Sequence, residues 1–305
     1  MSNRLPARSS RARKRRFSFL QLDVFTSRQL EGNQLAVFPD ARGLTDEEMQ
    51  ALAREMNLSE TTFILRRSAT VERERGIRVR IFTVEEELPF AGHPTLGTAF
   101  VLRKRGQGEV ALDLEVGRIP VSFRQQRDGL VFGEMRQRDP EMGSIHDRGA
   151  VARAAGLEAD AIDPNLPIQT VSTGMAFAIV ALRSLEAIRR LRFNWKQLED
   201  YLTRTDAKFL YFVTRETVDP AARLHARMIF YNGEDPATGS AAGCCAAWAV
   251  CHGVAAPYEQ ILIEQGLEIH RPSRILVRAA RDGDRIVNVR VGGNCVEVMR
   301  GEVVL

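Results

Sequence analysis

Two segments of the chain repeat one order of residue types, and this repeat restricts the fold more than any other feature of the sequence. Residues 80–102 read RIFTVEEELPFAGHPTLGTAFVL, and residues 227–249 read RMIFYNGEDPATGSAAGCCAAWA. Each segment contains an apolar strand, an acidic pair, a loop with glycine and a helix that begins with small residues. When Phe82 is aligned with Phe230, the two copies lie 148 positions apart. The repeat therefore predicts two half-domains of similar structure.

The predicted helix starts are the chemically useful part of the repeat. In the same alignment Glu87 falls on Asp235, and Gly92 falls within one residue of Gly239. The first N–H groups of a helix have no intrahelical partner and carry a partial positive charge. Two such ends that face each other across a cleft can hold a carboxylate or a developing oxyanion. We therefore expect an anion site near the two glycines.

The length of the chain agrees with a two-lobed protein. Its 305 residues exceed one ordinary core and suit two lobes of about 150 residues each. We place the N-terminal lobe at residues 17–128, completed by a last strand at about 297–305, and the C-terminal lobe at residues 129–296. Short strands with occasional helices, in no regular alternation, predict an α+β fold.

Local patterns predict several elements around the candidate site. Thr45 and Glu48 form a capping-box pattern at the start of a helix that stops at Asn57, and a strand follows at 61–65. A helix at about 240–252, rich in Ala, Gly and Cys, is predicted to be packed on all sides, because an exposed helix would carry more charge. The last strands are predicted at 285–291 and 295–304.

Residues 1–16 form a basic tail. They hold seven Lys or Arg residues and no acid, and removing those charges from the net charge of +4 leaves −3 for residues 17–305. Such a segment has too little apolar surface to bury, so we predict that it is disordered and takes no part in the chemistry. Contact with RNA, DNA or another anionic surface stays open, as for any arginine-rich run.

The sequence also limits where the protein works. Spanning a bilayer takes about 20 consecutive apolar residues, and no run of that length is present. The apolar stretch that follows Arg16 is too short, and is interrupted too early by Asp23, for the core of an export signal. We therefore expect a soluble, cytoplasmic protein without a membrane partner.

The cysteines and histidines do not form a metal-binding pattern. Cys244, Cys245, Cys251 and Cys295 lack Cys-x-x-Cys spacing, and we interpret them as small buried thiols. The five histidines are scattered without ligand spacing, so no metal is expected. The glycine motifs of dinucleotide and nucleotide sites are missing as well, so nicotinamide, flavin and nucleotide cofactors are not indicated. The chemistry that remains is general acid/base catalysis on a small molecule.

Three side chains are candidates for that work. Glu60 lies in an apolar stretch where desolvation would raise its pKa toward neutrality, although a surface Glu at a strand start fits the same pattern. His93 stands at a predicted helix start, where its ring would bind an anion, relay a proton or fill a structural role. Asp235 precedes a proline and fits either an acid/base role or a turn. Ser240 follows Gly239 as a candidate helix cap, and no Gly-x-Ser-x-Gly pattern supports a serine hydrolase.

These segments, taken together and in order, resemble the phenazine biosynthesis PhzF-like family. The matching stretches are LEGNQLAVFPD, REMNLSETTF, LPFAGHPTLGTAF, EDPATGSAAG and the ending RGEVVL, so the resemblance covers residues 17–305. It implies a diaminopimelate epimerase-like fold, with two similar lobes that each wrap a β-barrel-like mixed sheet around a central helix. It also implies an active site between the lobes and a homodimer.

The best-understood type in that family is trans-2,3-dihydro-3-hydroxyanthranilate isomerase, which uses no metal or organic cofactor. By resemblance, Glu60 is the general acid/base that takes a proton from one ring carbon and delivers it to another. His93 and Asp235 bind the substrate and assist the transfer. The N–H groups of Gly92, Gly239 and Ser240, with the Ser240 hydroxyl, bind the carboxylate or the enol-like oxygen of a small carboxylate-bearing substrate.

Three alternatives stay open at this point. A PhzF-like enzyme of another small metabolite fits the same motifs. Epimerases and racemases of this fold use two facing cysteines, but neither of the two loops here contains one. A protein that binds nucleic acid or another partner through the arginine-rich tail is the alternative from a different functional class.

Overall fold

The computed structural model describes residues 14–192, 194–230 and 233–305. The helices in these ranges are α1 (Asp46–Met56), α2 (Ala69–Arg75), α3 (Gly92–Leu102), α4 (Arg148–Ala155), α5 (Leu185–Arg189), α6 (Trp195–Leu202), α7 (Gly239–Cys251) and two 3-10 turns, Ala159–Ala161 and Leu267–Ile269. None of these helices is long and apolar enough to cross a membrane. The capping box at Thr45 and Glu48 is present in α1, as predicted.

The first ten strands extend to the middle of the chain. They are β1 (Arg16–Val24), β2 (Asn33–Phe38), β3 (Glu60–Leu65), β4 (Ile77–Phe82), β5 (Glu87–Leu88), β6 (Glu109–Leu114), β7 (Gly117–Gln125), β8 (Val131–Arg136), β9 (Glu141–Ile145) and β10 (Gln169–Ser172). The others are β11 (Ala176–Leu182), β12 (Phe209–Thr214), β13 (Leu224–Arg227), β14 (Ile229–Phe230), β15 (Gly233–Glu234), β16 (Ile261–Gln265), β17 (Ser273–Asp282) and β18 (Arg285–Val304).

Eight strands close into a barrel around α3. Hydrogen-bonded neighbours follow the order β1, β2, β3, β4, β6, β7, β8 and β18, and β18 pairs back onto β1. The first eight residues of α3, Gly92–Ala99, are all buried inside this barrel. The protein is therefore of the mixed α+β class, as predicted.

The same sheet continues from β18 through β17, β16, β13, β12, β11 and β10 to β9, and α7 packs against this second set. In the first set, the neighbours β2 and β3 are parallel, and so are β4 and β6. The other neighbouring pairs, β1–β2, β3–β4, β6–β7 and β7–β8, are antiparallel. The pairs from β10 to β18 repeat that order. The lobe boundary at residues 128 and 129 stays a prediction.

Strand β18 belongs to both halves of the sheet. Its residues 285–292 pair with β17, and its residues 295–304 pair with β1. The predicted break between 291 and 295 was wrong, because the two glycines there do not form a turn. A Cβ on Gly293 would lie 2.5 Å from the Phe25 ring, so glycine at this position permits close packing within a continuous strand.

The limit of the basic tail at residue 16 was also wrong. Arg16 is the first residue of β1, and Arg15 exchanges two main-chain hydrogen bonds with Leu305. Pairing with the last strand orders this end of the chain. The prediction of disorder for residues 1–13 lies outside the described residues.

The two copies of the repeat are related by 147 positions, one fewer than the alignment on Phe82 gave. The Arg80 guanidinium makes a two-pronged ion pair with Glu87, and Arg227 makes the same pair with Glu234. This spacing also places Gly92 on Gly239. The aromatic residues misled the alignment because β4 is continuous up to Phe82, whereas its counterpart β13 ends at Arg227 before β14 begins.

Candidate active site

Glu60 and His93 meet at one end of the barrel. Glu60 is the first residue of β3, and His93 is the second residue of α3. His93 Nε2 lies 3.5 Å from Glu60 Oε2, and the two side chains are 3% and 7% exposed. Neither atom has a hydrogen-bond partner among the described residues. Because buried polar atoms are normally paired, these two are candidates for contact with a substrate.

Asn33 connects this pair to the other half of the protein. Its Nδ2 donates to Asp235 Oδ1 and to the main-chain oxygen of Ala237, both at 2.8 Å, and lies 3.1 Å from His93 Nδ1. Asn33 begins β2, which runs parallel to β3, so the two strands deliver Asn33 and Glu60 to the same end of the barrel.

Asp235 is a buried acceptor and does not serve as an exposed turn residue. Its side chain receives the Ser59 hydroxyl at 2.8 Å on Oδ1 and the Thr238 hydroxyl at 2.6 Å on Oδ2. Its main-chain oxygen receives Gln265 Nε2 at 2.8 Å. Asp235 is 3% exposed. The structure thus brings together all three side chains that were predicted to carry chemistry.

The starts of α3 and α7 lack side-chain caps. Ala91 and Thr238 are the N-cap residues, and neither caps its helix with a side-chain hydrogen bond. The prediction that Ser240 caps α7 was therefore wrong, because α7 begins one residue earlier, at Gly239. The uncapped main-chain N–H groups are available to an anion.

The two helix starts touch. A Cβ added to Gly92 would lie 2.3 Å from the main-chain nitrogen of Ser240 and 2.4 Å from the carbonyl carbon of Gly239. The predicted space between the two glycines is therefore closed. An anion has to bind beside this contact, where N–H groups of both helices are presented next to each other. That site stays a prediction.

Burial sets the protonation states of the three groups. Desolvation, with the nearby charge of Asp235, raises the pKa of Glu60 well above its usual value. Desolvation lowers the pKa of His93 to about 3, so its ring is neutral at physiological pH. The pKa of Asp235 rises to about 6 through burial, against hydrogen bonds from Thr238, Ser59 and Asn33 that lower it.

Cys244, Cys245 and Cys295 are buried as predicted, whereas Cys251 is partly exposed. Cys244 and Cys245 are fully buried in α7. Burial raises the pKa of Cys244 to about 11, and it raises the pKa of Cys245 further. Both are neutral thiols at physiological pH, which does not fit a pair of reactive thiolates.

Several polar residues of the site were missed from sequence. Asn33, Ser59 and Thr238 lie inside the motifs that carried the family resemblance, and their position in those motifs was a usable signal. Gln265 and Tyr211 lie in apolar strands, β16 and β12, with no local pattern to single them out. Only the packing of the sheet places them near Asp235.

Replacing Glu60 by Gln is expected to stabilise the fold more at high pH than at low pH. At a pH below about 4.5 the carboxyl is protonated in both the folded and the unfolded chain. As the pH rises, the unfolded chain releases this proton first and the buried carboxyl holds it to a higher pH, so the free energy of unfolding of the wild type falls. Gln does not titrate. Urea unfolding near pH 5 and near pH 8 measures the difference between the two proteins, and a difference that does not grow with pH contradicts a raised pKa at Glu60.

Comparison with known proteins shows which family the chain belongs to. The phenazine biosynthesis-like protein family, PhzC-PhzF, matches residues 22–301. An uncharacterized isomerase of Mesorhizobium japonicum is 37% identical over 94% of this chain and 98% of its own length. The trans-2,3-dihydro-3-hydroxyanthranilate isomerase of Pseudomonas aeruginosa is 35% identical over 94% of this chain and 99% of its own length.

Solved structures agree on the fold. A phenazine biosynthesis protein of the PhzF family from Bacillus anthracis superimposes with a TM-score of 0.84, at 29% identity, over 95% of this chain and all of that one. A hydroxyproline epimerase from Agrobacterium vitis shares the fold at 12% identity, with a TM-score of 0.64 over 95% of this chain and 92% of that one. The fold is thus diaminopimelate epimerase-like, and the chain belongs to the PhzC-PhzF family of phenazine biosynthesis-like proteins as one of its isomerases.

Proposed function

We propose that this protein moves a proton within a small carboxylate-bearing substrate by general acid/base catalysis, without a cofactor. The substrate we propose is trans-2,3-dihydro-3-hydroxyanthranilate, which gives the Pseudomonas aeruginosa relative its name. In this proposal Glu60 is the acid/base, His93 and Asp235 bind the substrate, and Gly92, Gly239 and Ser240 hold an anionic oxygen.

One observation carries the proposal. Glu60 Oε2 and His93 Nε2 lie 3.5 Å apart in a buried site, and both lack a partner among the described residues. A structural carboxyl that is this well buried would be expected to have a partner, since an unpaired buried polar group costs about 1–3 kcal/mol. In this proposal the substrate hydrogen-bonds to both atoms.

The protonation states suit a proton that leaves and returns. Glu60 as carboxylate takes a proton from a substrate carbon, and the electron pair of that C–H bond moves into the conjugated system of the substrate. The carboxylic acid so formed gives the proton to another carbon, and Glu60 is again a carboxylate. A pKa raised toward the working pH favours both steps, because the same group has to be base and then acid.

The neighbours of Glu60 keep the substrate in place. His93 is neutral, so its ring hydrogen-bonds without competing for the proton. The uncapped starts of α3 and α7 present main-chain N–H groups where negative charge develops on the substrate.

The repeated order of parallel and antiparallel strand pairs supports two lobes of common origin. In this proposal the active site lies where the first turns of α3 and α7 meet. The second copy has Phe209 at the register position that Glu60 occupies in the first, which favours a single acid/base.

Solvent deuterium uptake tests this proposal. The enzyme is incubated in deuterium oxide with trans-2,3-dihydro-3-hydroxyanthranilate, and proton NMR follows the product. We expect a product that keeps part of the substrate hydrogen at the carbon that gains the proton, because one carboxyl both removes and delivers it, and unchanged substrate that takes up little deuterium.

A two-base epimerase gives a different result. It would exchange the hydrogen at a stereocentre of the substrate and invert that centre, without moving a double bond. Epimerised, deuterium-labelled substrate would therefore contradict the proposed function and show an epimerase instead. If the enzyme did not react with this substrate but turned over another small carboxylate, the acid/base mechanism would stand and the proposed substrate would be wrong.

A further inference from the structure

Gln265 is a fully buried amide at the end of β16, and its hydrogen bonds leave it one orientation. Its Nε2 donates to the main-chain oxygen of Asp235 at 2.8 Å and to Thr238 Oγ1 at 3.0 Å. Its Oε1 accepts from Thr238 N at 3.2 Å and from the Tyr211 hydroxyl at 3.0 Å. A flipped amide would place its oxygen against the Asp235 carbonyl oxygen and its NH₂ against the Thr238 N–H. The neighbouring groups therefore determine which end is the donor.

The orientation of Gln265 sets the direction of the next hydrogen bond. Thr238 Oγ1 accepts from Gln265, and its own single proton has two acceptors in reach. Asp235 Oδ2 lies at 2.6 Å, and the sulfur of Met228 lies at 3.4 Å. A carboxylate oxygen is the stronger and closer acceptor, and a hydroxyl that already accepts a hydrogen bond is a better donor.

We propose that Gln265 is a positioning residue that directs the Thr238 hydroxyl proton onto Asp235 and so favours the carboxylate form of Asp235. The chain runs from the Gln265 amide to the Thr238 hydroxyl to Asp235 Oδ2. Gln265 does not touch the Glu60 and His93 pair, so it acts through Asp235. The inference rests on the proposed function in one respect: the role of Asp235 in catalysis is taken from it.

Other groups around Asp235 also bear on its charge. Asn33 and Ser59 donate to Oδ1 and favour the carboxylate. The titratable groups that face Asp235 from the surrounding elements are Glu60 in β3, His93 in α3 through Asn33, Tyr211 in β12 and Glu234 in β15. Replacing Gln265 by an uncharged residue leaves all of these in place.

The test is a titration of Asp235 in the full-length protein without substrate. Carbon-13 label in the aspartate carboxyls reports the protonation of each one by NMR, and Asp235→Asn identifies the signal. The variant Gln265→Met keeps the side-chain length and removes the donor. Without this donor the hydrogen bond from the Thr238 hydroxyl to Asp235 weakens, so the proton affinity of Asp235 should rise about threefold.

Combining Gln265→Met with a change at Thr238 distinguishes an effect that passes through the Thr238 hydroxyl from a general distortion of the structure around Asp235. In Thr238→Val the hydroxyl is gone, so Gln265→Met should cause no further rise there. Thr238→Ser keeps the hydroxyl and should titrate like the wild type. Tyr211→Phe removes one donor to Gln265 but leaves its link to Thr238, and should change the proton affinity less than about twofold.

Two results overturn the inference. One is an unchanged titration of Asp235 in Gln265→Met, and the other is an equal rise in the Thr238→Val background. If Gln265→Met does not fold, Gln265→Asn replaces it, because it keeps the amide but draws it back by one methylene. The readout needs no turnover, so a failure of the isomerase assignment does not affect it.

Discussion

Changing Glu60 to Gln is expected to lower kcat with trans-2,3-dihydro-3-hydroxyanthranilate about 1000-fold, in the range typical of general acid/base groups. The amide has nearly the shape of the carboxyl and fits the same buried position beside His93. The amide does not titrate, so it can act neither as a base nor as an acid. KM should change little, because the proposed contacts of the substrate with the helix starts and Asp235 are unchanged. Steady-state kinetics and product NMR measure both constants.

Two further variants give this experiment its controls. Glu60→Asp keeps a carboxyl but draws it back by one methylene, and should retain more activity than Glu60→Gln. Glu134→Gln makes the same chemical change at an ion pair with Arg278 and Arg290, away from the site, and should keep wild-type turnover. If Glu60→Gln turned over within tenfold of the wild type, Glu60 would not be the acid/base.

Changing Gly92 to Ala is expected to damage both the fold and the activity. The new Cβ would lie 2.3 Å from the main-chain nitrogen of Ser240, where no flexible side chain can move aside. The start of α3 or of α7 must shift, at a cost of about 3 kcal/mol in the free energy of unfolding. A shift of about 1 Å at these N–H groups lowers kcat about 100-fold. Urea unfolding and steady-state kinetics measure the two effects.

Gly108→Ala is the matched control for this variant. A Cβ at Gly108 meets no atom within 4 Å, so its free energy of unfolding should stay within about 0.5 kcal/mol of the wild type. If Gly92→Ala kept wild-type stability and turnover, the two helix starts could not be in contact as described.

The local elements were the part of the fold most open to prediction. The strand predicted at 61–65 is β3, α1 stops at Asn57 as predicted, and the capping box of α1 is in place. These features depend on side chains within a few residues of one another, so a short stretch of sequence contains all the interactions that determine them. The same holds for the motif residues Glu60, His93 and Asp235, which were identified from their immediate neighbours.

Contacts between residues that are distant in the sequence were harder to predict. The register of the repeat depends on two ion pairs, Arg80 with Glu87 and Arg227 with Glu234, and the alignment on aromatic residues missed them by one position. The continuity of β18 depends on Gly293 facing Phe25, a contact that the sequence around residues 291–295 does not contain. In both cases the deciding partner lies elsewhere in the sheet or in the chain.

The motifs alone thus assign the family, the three titratable side chains and the helix starts, because short-range capping, spacing and burial patterns are written in consecutive residues. Tertiary structure alone decides that Asn33 reaches Asp235, 202 positions away, that Gln265 orients Thr238, and that the two helix starts touch. Those contacts arise where β2, β3, β16 and α7 converge, and their geometry depends on how the whole sheet closes. Burial at that point also sets the pKa values of Glu60 and Asp235, since desolvation is a property of the assembled core.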